Sequence, residues 1–447
     1  MCLQTVRRLT LVAEVLATFA CVYELAAQAP RSPSTSQIDA TDSAALARSY
    51  YRAAVERLTA GDSASAVLKL RESTLAWPLQ PAYANALLTL SSRLHDSTQV
   101  EFALSRGNAI GVALANGKSD AARTLVRSSA KWALQVQDSL RAPIERSRTL
   151  HTLADSLLFP EGVAIDSRSG TLYVSSIFRR NIFRISSTGV ATPVLRTNEA
   201  GVGSIMGVAV DTTRNLLWAV TLPMPLMDRA ADSVNVHASL LAIRIGDGSV
   251  ARRLTFPNVN AELSPGDLSV GTNGDVFVSD AVAGILWQLK NQSDSLLAIR
   301  HHLFHSLQGI IPSADGRSLW VADYSVGLLH VDLQTHDVVR VADAPGQTSV
   351  GIDGIVRYGD AFIAIQNAFV PYRIVRMTLD AGGTRIVSQA VIDQTSLASS
   401  PTGGAILGNN FVYVANSLWE GVDANGLLPA TAPHPKPIIL SLPLKRN

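Results

Sequence analysis

The chain has 447 residues, 47% of them apolar and 17% charged, which is ample core material for two or more domains and excludes a disordered chain. A formal net charge of +2 without any Lys/Arg run gives no reason to expect nucleic acid as a partner. Residues 1–29 read as an export signal: Arg7-Arg8, a mostly apolar run from Leu9 to Ala27, and Ala27-Gln28-Ala29 as an A-x-A cleavage site. A retained membrane anchor is the competing reading, weakened by Glu14 and Glu24 inside the run. Both cysteines, Cys2 and Cys21, fall in this segment, so cleavage after Ala29 leaves no thiol and no membrane span. Disulfides, thiolate catalysis and cysteine-bound zinc are then excluded, and the expected location is the periplasm or the exterior.

Residues 30–41 are a Pro/Ser linker, and from 42 to 147 the pattern turns to alanine- and leucine-rich segments with helical spacing. Within it, Tyr50 to Gly61 followed by Asp62 to Pro78 resembles one tetratricopeptide repeat. Gly61-Asp62 stands at the inter-helix turn, Ala66 and Leu70 in the second helix, and Pro78 at its end. The resemblance covers one repeat of about 34 residues, and Ser73 stands where a small alanine is usual. It implies either a groove for a protein or peptide partner or a plain helical spacer.

From residue 148 to 447 the chain reads as β, organised by a recurring plan: a short apolar strand opening on a glycine, a turn, and a second apolar strand ending in small polar residues. The plan appears at Phe159–Ser176 and returns at Met206-Gly207, Gly266-Asp267, Gln308-Gly309, Asp353-Gly354 and Thr402-Gly403. Starts roughly 40 to 60 residues apart signal a radial or stacked repeat. Further strands lie between the repeats, at 181–185, 239–244, 284–289, 327–332 and 373–377. Six units of three or four strands make a six-bladed β-propeller, preceded by the α-helical, tetratricopeptide-like domain. The β-type runs at 149–154 and 437–442 are expected to pair in one blade, because a closed ring must hide its free edges. The second and sixth units are stretched by 222–238 and 418–436, both after second strands, which places them over one mouth of the ring.

In a propeller the residue just before each first strand's glycine-like position faces the axis. Here those residues are Glu161, Met206, Gly266, Gln308, Asp353 and Thr402, with Asp267 directly after Gly266. Two carboxylates and an amide oxygen aimed at one point are costly without a cation, since like charges brought out of water raise one another's pKa. Such oxygen donors, completed by water, suit Ca²⁺ or a similarly hard divalent ion.

These residues carry a resemblance to the SMP-30/gluconolactonase/LRE-like propellers, over about residues 157–444. The resemblance implies Glu161, Gln308 and Asp353 as metal ligands, Asp353 also as the catalytic base, and Asp267, Met206 and Thr402 as the substrate-facing set. Hydrolysis of a lactone or other ester would follow, the ion polarising the carbonyl. Two departures stand out: Gln308 replaces the family's asparagine, and Gly266 replaces a second asparagine and removes a polar contact. They keep two alternatives open: a non-catalytic exported module that binds a peptide, glycan or envelope partner, and a metal-free propeller of the strictosidine-synthase-like type with Glu161 as lone base.

The remaining candidates read as structural. The polar strand ends (Ser175-Ser176, Thr221, Asp280, Asp323, Gln366-Asn367, Asn416-Ser417) form a ring at the same mouth, of the kind that caps loop amides. His301, His302 and His305 are expected in a β segment without a carboxylate neighbour. Ser128-Ser-Ala-Lys131 matches S-x-x-K but lacks the companion motifs.

Overall fold

The structure, a computed structural model, describes residues 43–444 except 197–198, 229–234, 424–425 and 430. The leader and linker readings, with Cys2 and Cys21, lie outside the described residues. Among the described residues no helix is long and apolar enough to cross a membrane. The chain divides into two units, one of residues up to 142 together with 343–351 and 368–371, the other of the rest.

The first unit is helical: α1 (Ser43–Thr59), α2 (Ser63–Ala76), α3 (Pro81–Arg93), α4 (Ser97–Ala109), α5 (Asp120–Leu125) and α6 (Lys131–Arg141). Gly61, at φ +84°, turns the chain between α1 and α2, and the Asp62 carboxylate then accepts from the Ser65 amide at 3.0 Å as the cap of α2. Ala66 and Leu70 on α2 pack with Ala47 and Ala54 on α1. Helix α3 is buried from Pro81 to Ser92 and forms the centre of the unit. Ser128 and Lys131 sit exposed at the start of α6, so the S-x-x-K match is a surface segment.

The second unit is six four-stranded antiparallel sheets. Blade one is β2 (Pro160–Asp166), β3 (Thr171–Ser176), β4 (Asn181–Ile185) and β5 (Ala191–Pro193). Blade two is β6 (Ser204–Asp211), β7 (Leu216–Leu222), β8 (Ser239–Arg244) and β9 (Val250–Thr255). Blade three is β10 (Pro265–Val270), β11 (Val276–Asp280), β12 (Ile285–Leu289) and β13 (Leu296–Arg300). Blade four is β14 (Leu307–Pro312), β15 (Ser318–Asp323), β16 (Gly327–Asp332) and β17 (Val338–Arg340). Blade five is β18 (Ile352–Tyr358), β19 (Ala361–Gln366), β20 (Arg373–Leu379) and β21 (Ile386–Asp393). Blade six takes β22 (Gly404–Leu407), β23 (Asn410–Val414), β24 (Ile438–Pro443) and, as its outer strand, β1 (Arg148–Thr152). The two chain regions pair antiparallel there, Thr149 opposite Leu440, which joins both ends of the propeller in one blade.

Second and third strands such as β11 and β12 are buried along their whole length, which is why they read as continuous apolar runs rather than alternating ones. The fourth strands, such as β13, alternate toward solvent. Apolar clusters sit between successive blades, for example Leu153, Val163, Val174, Val412 and Ile439 between blades six and one. A buried latch backs the closure: the Asp393 carboxylate accepts from the amides of Arg146 and Ser147 and from the hydroxyls of Ser147 and Tyr413.

Candidate functional site

Each of the first five blades breaks its ladder at the same place. In β2 the register passes from Pro160–Ser176 to Val163–Val174, so Glu161 and Gly162 together face the single residue Ser175. The same bulge holds Met206-Gly207 in β6, Gly266-Asp267 in β10, Gln308-Gly309 in β14 and Asp353-Gly354 in β18. A bulge bends its strand and re-aims the first of its two residues, a device common beside binding sites. It therefore turns Glu161, Met206, Gly266, Gln308 and Asp353 out of the ladder.

The glycines are required by close approach. A Cβ on Gly162 would lie 2.9 Å from the Met206 carbonyl, on Gly309 2.8 Å from that of Asp353, and on Gly403 2.8 Å from that of Glu161. The first strands converge to backbone contact at this level. Beyond it they line a cavity of about 340 Å³, walled by residues 162–165, 207–210, 267–269, 309–312, 354–357 and 403–405. Apart from Asp267 at its inner end and Arg357, the wall is mostly apolar.

Three carboxyl groups come within electrostatic reach of one another: Glu161, Asp267 and Asp353. Their surfaces are half-buried because the channel reaches them, but protein encloses them at depth, and depth sets the desolvation. Burial, then the charge of Asp353 and that of Asp267, hold Glu161 well above the carboxylate range, partly offset by a hydrogen bond from Trp419. Burial and Asp353 push Asp267 up to about 8. Burial raises Asp353 to about 6 against the pull of an Asn367 hydrogen bond. A carboxyl whose pKa is higher in the folded chain keeps its proton there longer, so stability falls as pH rises through the window between the two values. Asp267→Asn is therefore expected to raise the melting midpoint by several degrees at pH 8.5 in chelator and much less at pH 4.5; a gap constant with pH would contradict the cluster.

Hydrogen bonds fix two of the three. Trp419 Nε1 donates to Glu161 Oε2 at 2.7 Å, and Asn367 Nδ2 donates to Asp353 Oδ2 at 2.5 Å and to the Pro401 carbonyl at 2.8 Å. Tyr324 in turn donates its hydroxyl to Asn367 Oδ1 at 2.8 Å, which sets the amide's orientation. Glu161 Oε1 and Asp353 Oδ1 remain for another partner. Gln308 directs Nε2 toward Ser306 Oγ at 3.5 Å, which leaves its Oε1. Thr402 donates its hydroxyl to the Glu161 carbonyl at 2.8 Å and so supports that strand's backbone. Met206 is buried in an apolar cluster with Phe159, Met224 and Leu418.

Trp419 is not singled out by the sequence, and Asn367 is expected there only as a strand-end cap. Asn367 lies one residue past β19 among the polar strand ends, most of which do cap loops. Asp280 accepts from the amides of Ser264, Val282 and Ala283, and Asp323 from those of His305, Ser306, Ser325 and Val326. Trp419 belongs to the sixth-blade insertion, on a turn entered through Leu418 at φ +72°. Its ring meets Phe159 edge-on at 5.0 Å, and the neighbouring Glu420 accepts from the Tyr372 hydroxyl. Met224 and Leu226 of the second-blade insertion join the same apolar cluster as Trp419, Val422 and Leu428 of the sixth, so the two insertions meet at one mouth.

The histidines are placed differently from expectation. Residues 301–306 form a turn between β13 and β14 rather than a β segment, and the His301 and His302 rings lie 4.2 Å apart. The turn arises because His301 Nδ1 accepts the Leu303 amide, the His301 carbonyl accepts that of Phe304, and Asp323 holds the amides of His305 and Ser306. Among the described residues no group of three or more His, Cys, Asp or Glu side chains is arranged to hold a metal ion. The donor set at the axis is two carboxylates, Glu161 and Asp353, with the Gln308 amide oxygen. The charge of Asp353 raises Glu161, burial raises both acids, and neutral or anionic oxygen donors of this kind fit a hard divalent cation completed by water.

No protein-family model matches the chain, and no curated protein matches it. Among solved structures it is similar to a gluconolactonase from Xanthomonas campestris, at 16% identity over 69% of this chain and 92% of that one, with a TM-score of 0.45. It is also similar to virginiamycin B lyase from Staphylococcus aureus, at 15% identity over 67% and 99% of the two chains, TM-score 0.44. A luciferin-regenerating enzyme gives 10% identity, 68% and 95% coverage and a TM-score of 0.43. The structural neighbours thus include propellers of the gluconolactonase/SMP-30 kind. At these identities the likeness concerns the fold alone, and the six blades rest on the sheet order given above.

Proposed function

We propose that the protein is an exported, metal-dependent hydrolase of a lactone or other ester. The observation that supports this reading is the convergence of Glu161, Asp267 and Asp353 on one axis, each raised by burial, and Glu161 and Asp267 also by the charge of Asp353. Glu161, Gln308 and Asp353 would hold the cation, Ca²⁺ by the hardness of the donors. When bound, it supplies Lewis acidity toward the substrate carbonyl.

The chain's own groups do the rest. Asp353 Oδ1 takes a proton from the attacking water, while Asn367 on Oδ2 keeps the carboxylate turned toward the axis. Water oxygen bonds to the carbonyl carbon, the acyl C–O bond breaks, and the proton held by Asp353 passes to the leaving alkoxide. Asp267, protonated up to about pH 8, donates a hydrogen bond to substrate. Trp419 fixes Glu161 through its indole N–H and packs edge-on against Phe159.

A second reading is a metal-free site with Glu161, held through Oε2 by Trp419, as the lone base. A hydrolysis screen over lactones and aryl esters separates the two, run after chelation and again with Ca²⁺, Mn²⁺ or Zn²⁺. Turnover that appears only with an ion supports the first reading. Turnover indifferent to chelator supports the second, and none at all returns the protein to the binding-module reading.

A further inference from the structure

Each of the two carboxyl groups proposed as ligands has one oxygen engaged by a protein N–H. Trp419 Nε1 donates to Glu161 Oε2 at 2.7 Å, and Asn367 Nδ2 donates to Asp353 Oδ2 at 2.5 Å. Among the described residues no other side-chain or backbone donor reaches either group, and none reaches Asp267, the third carboxyl of the cluster. The donors fall on the pair that would meet an ion and spare the acid that would not.

Both donors are themselves held in place. Asn367 also donates to the Pro401 carbonyl at 2.8 Å and accepts the Tyr324 hydroxyl at 2.8 Å, so its amide is engaged at both ends. Trp419 lies edge-on to Phe159 at 5.0 Å, and Glu420, next in the chain, accepts from the Tyr372 hydroxyl. A carboxylate tied through one oxygen to a fixed donor by a charge-assisted bond cannot turn freely to present both oxygens to one point. Glu161 then offers Oε1, Asp353 offers Oδ1, and Gln308 adds its single amide oxygen. Ca²⁺ takes about six to eight oxygens and accepts bidentate carboxylates, whereas Mg²⁺ holds to an octahedron and keeps several waters. The number of carboxylate oxygens free to coordinate therefore bears on which ion the site prefers and on how many places remain for water and substrate.

We propose that Trp419 and Asn367 are positioning residues that restrict Glu161 and Asp353 to one coordinating oxygen each, which keeps places on the ion open for substrate and water and tempers the site's preference for Ca²⁺. The proposal rests on the metal-dependent reading above, and its test reads binding rather than turnover. Melting midpoints of the chelator-treated full chain are titrated with Ca²⁺ and with Mg²⁺, on the natural protein, Trp419→Phe and Asn367→Leu. Phenylalanine keeps an aromatic ring beside Phe159, and leucine has nearly the shape of asparagine, so each variant removes the N–H with little change of form. In each, Ca²⁺ should tighten relative to Mg²⁺ by about tenfold, the lower end of what outer contacts are worth to a metal site. A residue that only supports the fold would weaken both ions alike. An unchanged or lower preference for Ca²⁺, or the loss of both ions, overturns the role of the residue replaced. Where Mg²⁺ alone has no effect, the Ca²⁺ dissociation constant itself should fall by that factor, and one that stays or rises overturns the proposal. If neither ion moves the midpoint of the natural protein, the metal-dependent reading fails and the proposal with it; if they do and the preference stays fixed, the proposal fails alone.

Discussion

Asp353→Asn is expected to lower kcat/KM for lactone hydrolysis by about 10²–10⁴-fold, the usual contribution of a positioned general base. The fold should not suffer. Asp353 sits on β18, where the bulge rather than the carboxyl sets the strand geometry, and its charge raises both Glu161 and Asp267. Replacing it with a neutral amide relieves that repulsion, so the melting midpoint in chelator should stay the same or rise. Steady-state rates and melts on the same preparation check both halves. A variant that loses activity together with its fold would show that the residue is structural. One that keeps full activity would move the chemistry to Glu161.

Asp393→Ala should cost about 3–5 kcal/mol, because it removes one buried acceptor from four donors. Two are backbone amides, Arg146 and Ser147, on the segment that leads into β1, and the others are the Ser147 and Tyr413 hydroxyls. The hydroxyls can still pair with each other at 3.0 Å, but the amides keep no substitute. Since β1 is the strand that closes the ring, loosening its entry weakens blade six as a whole. The midpoint should fall by about 10 °C. Ser147→Ala, which removes only one donor, should cost far less; equal losses in the two variants would contradict the latch.

The propeller was legible because one physical constraint repeats. First strands that converge to backbone contact favour glycine at that level, so Gly162, Gly207, Gly309, Gly354 and Gly403 recur at nearly even spacing except at blade three, where Asp267 takes the place. The middle strands are covered on both faces, and their continuous apolar runs mark them. The outer strands β5 and β17, three residues each and partly exposed, carry no such signal. At the site, Glu161 and Asp353 were readable from their place before the glycine. Asn367 and Trp419 were not, since each reaches the axis from a loop whose path depends on the assembled ring. The bulges were equally hidden, because a register shift is a property of two strands and not of one. His301 to His305 misled for a related reason: Asp323 holds the His305 amide, and so the end of the turn, from eighteen residues away.

The most direct test of the account is the melting midpoint of the chelator-treated protein with and without Ca²⁺, measured on the natural chain and on Asp353→Asn. An ion held only by the native state stabilises it by RT ln(1 + [L]/Kd), about 2.7 kcal/mol at a hundredfold excess over Kd. The account predicts a midpoint that rises with Ca²⁺ in the natural protein and does not move in the variant. No rise with Ca²⁺, Mn²⁺ or Zn²⁺, or an equal rise in both proteins, would contradict a cation held by Glu161, Gln308 and Asp353.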